Sequence, residues 1–91
     1  MFYIYGARES RATEKAEHLL IICQKHYKLF LFNEDFTYDQ LQRIVPGTKV
    51  VPHIFDGFKY VGGVRELYDY LYTMVKFESE EKNDEWIFQN E

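Results

Sequence analysis

The stretch Val50-Val51-Pro52-His53-Ile54-Phe55-Asp56-Gly57-Phe58-Lys59-Tyr60-Val61-Gly62-Gly63 leaves few folds open to this chain. It contains two short runs rich in β-branched and aromatic residues, and Asp56-Gly57 sits where the chain must reverse, a dipeptide that favours a hairpin turn. Proline has no N–H for a sheet ladder, so Pro52 belongs at the mouth of the hairpin, at a strand's first residue or edge, where a tight approach suggests a cis bond. Gly62-Gly63 then hands over to Val64, Leu67, Leu71 and Met74 or Val75, apolar at helical spacing. Glycines at such a junction let the backbone turn sharply and approach a ligand or a neighbouring element.

Upstream, Phe2-Tyr3-Ile4-Tyr5 ending at Gly6 reads as a first strand. From Ser10 the period changes. Ala12, Ala16, Leu19, Leu20 and Cys23 form one apolar stripe, which predicts a helix over Ser10 to His26 with Ser10 as its cap. Tyr27 to Phe32 reads as a second strand, apolar on both faces and therefore expected to be central and covered on both sides. Thr37 is placed to cap a short helix from Tyr38 to Ile44, with Leu41, Ile44 and Tyr38 on its buried side, stopped by Pro46-Gly47. The expected order, β-α-β-α-β-β-α in one domain over residues 1–76, resembles the thioredoxin-like arrangement, which implies a four-stranded mixed sheet with helices on both faces. Residues 77–91 form an acidic tail with an apolar knot, Trp86-Ile87-Phe88.

Charge and cysteine content exclude several functions. The net charge of −4 comes from the tail, leaving a neutral body without the basic stripe that nucleic acid requires. No apolar run approaches the roughly 20 residues of a membrane span, and no secretory signal is visible, so the expectation is a cytoplasmic protein with no membrane partner. The single cysteine, Cys23, rules out an intramolecular disulfide and a cysteine zinc cluster. Its place on the apolar stripe suits a core residue. His18 and His26 are about 12 Å apart along one helix and His53 is on another element, so no metal site is expected.

The Val-Pro turn, the hairpin, the Gly-Gly pair and the helix, taken together, resemble the second half of a glutaredoxin, a thioredoxin-like α/β fold. The resemblance extends over residues 2 to 75. The run Glu14-Lys15-Ala16-Glu17-His18-Leu19-Leu20 looks like the helix turn after that family's Cys-Pro-Tyr-Cys motif, which puts Ser10-Arg11-Ala12-Thr13 at the four motif positions. Both cysteines are missing. The family's reaction begins with a thiolate at the helix start, and a serine hydroxyl cannot take part in disulfide exchange.

The resemblance implies a cleft for glutathione or a peptide. Val51 would offer its backbone beside Pro52, Lys49 and Arg8 would supply cations, Ser10 would mark the helix start, and Gly62 and Gly63 would form the opposite wall. Val64-Arg65 stands where the family usually has an acid, with Glu66 following. Three readings result: a non-catalytic binding module for a protein or peptide, with no required cofactor and glutathione as a candidate ligand; a glutathione-dependent oxidoreductase of atypical activity that uses bound glutathione as the thiol; and an interaction scaffold working through the tail.

Overall fold

The computed structural model describes residues 1–74, so the expectations for the tail and for the 1–76 boundary lie outside the described residues. The elements are β1 (Phe2–Gly6), α1 (Arg11–Ile22), β2 (Tyr27–Leu31), α2 (Tyr38–Ile44), β3 (His53–Asp56) and β4 (Lys59–Gly62), followed by a helix over residues 64–74, here α3. They form one four-stranded mixed sheet in the order β2-β1-β3-β4. β1 runs parallel to β2 and antiparallel to β3, and β3 runs antiparallel to β4. The expected element order and mixed sheet are those observed.

Alternation along the strands divides the sheet into two unlike faces. Phe2, Ile4 and Ile54 point to one face and pack with Ala16 and Leu20 of α1 and Leu67 and Leu71 of α3. Ile4, Leu20, Ile54 and Leu67 are fully buried there, and each contributes roughly 1.5–3 kcal/mol by leaving water. The other face is a lattice of rings. Tyr5 stacks on Phe30 at 5.1 Å between centroids and meets Phe36 and Phe55 edge-on at 5.3 and 5.8 Å, and Phe55 leans on Tyr60 at 5.2 Å. α2 borders this second face, where Ile44 shares a cavity wall with Tyr5 and Phe30.

Four details depart from the sequence-based expectation. α1 ends at Ile22 rather than His26, because Gln24 turns left-handed at φ 56°. The Lys25 N–H then donates to the Leu20 carbonyl at 2.9 Å and the Gln24 N–H to the Ile21 carbonyl at 3.0 Å, a Schellman ending that satisfies two orphan carbonyls. β2 is an edge strand, not a central one, and it stops at Leu31, whose N–H donates to the Asp35 carboxylate at 2.8 Å. Its apolar residues are explained by two covered faces, Leu29 against the core and Phe30 in the ring lattice. On α2 only Leu41 is buried, while Tyr38 and Ile44 are exposed, since a two-turn helix at the margin of the sheet presents only one position inward. The hairpin reverses at Gly57-Phe58, one residue later than expected, with Asp56 still paired to Lys59 and Gly57 at φ 62°.

Candidate functional site

The residues singled out in the sequence gather at one end of the sheet. There β1 ends at Gly6 before α1, β4 ends at Gly62 before α3, and β3 begins at His53, which is paired to Tyr5. Two helix starts and the Pro52 turn therefore meet at this end. The Val51–Pro52 bond is cis and Pro52 is buried. A side chain at Gly63 would come within 3.7 Å of the Pro52 carbonyl oxygen, so the glycine pair and the proline turn are neighbours.

At the α1 start both hydroxyls have structural work. Ser10 Oγ accepts the Thr13 N–H at 3.1 Å, the helix-capping bond expected of it. Thr13 is 3% exposed, and its own hydroxyl oxygen accepts the Ala7 N–H at 3.2 Å. It packs so closely on Gly6 that a Cβ there would lie 2.4 Å from Thr13 Cγ2, which explains the glycine at the end of β1. Arg11 is exposed and Ala12 half-buried. Ser10 and Thr13 thus serve as a cap and a packing residue, with no thiol at the α1 start; Cys23 is half-buried against the core twelve residues beyond Arg11.

Arg8 forms a two-pronged pair with Glu34, Nε to Oε2 and an Nη2–Oε1 bond of 2.8 Å, and both side chains are exposed. That hydrogen bond raises the guanidinium further above its usual range and holds the Glu34 carboxyl below its own. In this arrangement Arg8 is committed to Glu34 before it can meet a ligand. Lys49 is exposed and lines a 140 Å³ cavity with Phe32, Tyr38, Leu41, Val50 and Val51.

Glu66, which follows Val64-Arg65, accepts the Gly63 N–H at 2.8 Å. The Gly63 carbonyl accepts the Leu67 N–H at 2.9 Å, so Gly63 is the cap of α3 and Glu66 closes half a capping box. Gly62, at φ 127°, leaves the room that the Glu66 side chain occupies.

The turn before Pro52 is held by a group that sequence reasoning gave little weight. His53 is 6% exposed. Its Nε2 lies 2.8 Å from the Val50 carbonyl oxygen and 2.7 Å from Thr48 Oγ1, and its Nδ1 lies 2.8 Å from the Tyr60 hydroxyl. A carbonyl can only accept, so Nε2 carries a proton and, in the neutral ring, Nδ1 receives the Tyr60 O–H. Burial pushes the Tyr60 phenol above its usual range, with the charge of Glu66 adding to it, which keeps Tyr60 a donor. The sequence held a signal for this latch in the strand alternation, which puts His53, Phe55 and Tyr60 on one face once the register shift at Ile54/Phe55 is allowed for. Thr13 was legible too, since it falls three and seven residues before Ala16 and Leu20.

Because the latch fastens Val50 and Pro52 leads into β3, Val51 lies between two fixed points. Neither its N–H nor its C=O finds a hydrogen-bond partner among the described residues. Backbone groups left open beside a strand are what an extended peptide uses to add itself to a sheet. Among the described residues no helix is long and apolar enough to cross a membrane, and no three His, Cys, Asp or Glu side chains gather as metal ligands. A scan against protein families finds no match, and neither does a search of curated proteins.

Proposed function

We propose that this chain is a thioredoxin-fold domain of glutaredoxin type in which thiol exchange has given way to binding. The strand order β2-β1-β3-β4 with a parallel first pair, the cis proline and the Gly62-Gly63 pair support the family reading. The observation that carries the functional reading is the contrast at the sheet end: Ser10 and Thr13 are engaged in capping and packing, while the backbone of Val51 is left unpaired. A chain without a thiolate at the helix start lacks the nucleophile with which that family's disulfide exchange begins. The ligand is an extended peptide backbone, glutathione or a segment of a protein partner, which exchanges hydrogen bonds with Val51 in the manner of an added strand. No cofactor is required.

The test is a titration of the isotope-labelled protein with reduced glutathione, and separately with an unstructured peptide, following backbone amides. Saturable shifts centred on Ser10, Val51, Gly62 and Gly63 are expected. Absence of shifts with both ligands at millimolar concentration removes the binding reading. Turnover in a glutathione-coupled disulfide reduction assay removes the non-catalytic one.

A further inference from the structure

Two of the apolar-floored grooves on the described surface lie on opposite sides of the sheet. One lies on the ring-lattice face, about 340 Å³, walled by Tyr3, Tyr5, Phe30, Ile44, Phe55, Gly57 and Phe58, with no charged side chain in its walls. The other, about 350 Å³, runs between α1 and α3 and is walled by Lys15, His18, Leu19, Val64, Arg65 and Tyr68. Leu19 and Val64 form its floor, packed on the core, and Lys15 and Arg65 stand exposed at its rim. The one ion pair among the described residues is Arg8 with Glu34, so neither Lys15 nor Arg65 has a carboxylate within salt-bridge distance there; Asp69, one turn beyond Arg65, does not reach it. Tyr68 is 56% exposed and stacks on Tyr72, extending the apolar wall along α3. An apolar cleft edged by cations with no carboxylate partner among the described residues suits an occupant that is apolar and acidic together.

The same chain contains such a segment. Residues 1–74 carry nine acidic and nine basic side chains, and residues 75–91 carry six acids against two lysines, so the whole net charge of the protein belongs to the C-terminal segment. Within it, Trp86-Ile87-Phe88 follows Asp84-Glu85 and precedes Glu91. The length also fits. Returning from Met74 to Val64 along α3 is about 15 Å at the helical rise. The connector, residues 75–85, has a root-mean-square span of roughly 18 Å as a flexible chain, and effective concentration is greatest when linker and span match.

We infer that the groove between α1 and α3 is the seat of the chain's own Trp86-Ile87-Phe88, with Asp84 and Glu85 facing Lys15 and Arg65. The segment then covers Leu19, Val64 and Tyr68 and lies alongside the middle of α1 and the first turns of α3, the two helices that start at the candidate binding end. The ring-lattice groove has no cation among its wall residues, Lys28 standing over the Phe30 ring at 5.4 Å, whereas the groove between α1 and α3 has two.

Trp86 is the single tryptophan, so its fluorescence reports this contact without a label. In the 91-residue chain a seated indole emits to the blue of free tryptophan amide, with an acrylamide quenching constant several-fold lower and independent of protein concentration. Nuclear Overhauser contacts from the indole to Leu19, Val64 and Tyr68 are expected in the labelled wild type. The variant K15E/R65E, altered at two exposed positions, is expected to return both emission and quenching to the free-indole values while amide dispersion of the domain is retained. Emission and quenching of a free indole in the wild type overturn the inference. So do indole contacts to Tyr5, Phe30 or Phe55, and quenching protection that grows with protein concentration, which would mark a second copy as the donor of the segment. Protection unchanged in K15E/R65E overturns the assignment of the two cations.

Discussion

The two faces of the sheet are built on different principles. On the helix-covered face, Ile4, Ile54, Leu20 and Leu67 are entirely withdrawn from water and touch one another without a polar atom among them. On the opposite face the rings of Tyr3, Tyr5, Phe30 and Phe55 are only half-buried, and they are oriented by contact with one another and by the polar latch at His53. The first face owes its stability to area removed from water, the second to geometry among partly wet groups. A domain of this size has little margin, so the aliphatic face is expected to supply the larger share of its stability.

Cutting into the aliphatic face gives the largest expected effect. Ile54→Ala leaves a cavity at a site with 0% exposure and is expected to cost about 3–4 kcal/mol, read as a fall in the urea midpoint at constant slope. An effect under about 1 kcal/mol would mean that the face collapses to fill the gap and that the contrast between the faces is overstated. On the ring face, Tyr5→Leu keeps an apolar side chain but removes one stacked and two edge-on partners, and about 1 kcal/mol is expected. If Tyr5→Leu matches Ile54→Ala, the ring face is a core in its own right.

The smallest effect concerns the exposed pair that links the loop before α1 to the loop after β2. Arg8 holds the Glu34 carboxyl below its ordinary value of 4.5, so this pairing favours the folded state above that pH and the benefit is lost as pH falls through the lowered value. Urea midpoints at about pH 6 and about pH 3 should therefore differ slightly more in the wild type than in Arg8→Gln. Equal differences in the two proteins would show that solvent screens the pair completely.

The sequence made some of this legible and concealed the rest for identifiable reasons. Period two and period 3.6 located every described element, and Ser10 and Thr37 marked two helix starts, the second reinforced by Gln40, whose side chain accepts the Thr37 N–H at 2.9 Å. The lateral position of β2 was hidden because side-chain alternation reports what covers a strand's faces, not what lies beside its backbone. The end of α1 was hidden because Gln24, rather than a glycine, takes the left-handed position. At the candidate site the lack of a thiol at the α1 start and the capping role of Ser10 were plain from the sequence. The packing of Thr13 on Gly6 and the imidazole latch join residues three to seven positions apart across turns, where neither the strand nor the helix period applies.

The latch has a consequence for how this surface can change over generations. The shape of the loop before Pro52 is set by Thr48, His53 and Tyr60, while recognition at Val51 is expected to use atoms common to every amino acid except proline. Drift at the side chains of Val50 and Val51 would leave the loop's shape and its open backbone intact, whereas loss of His53 would release both. The imidazole is the residue by which descendants of this chain that keep the loop can be told from those that have abandoned it.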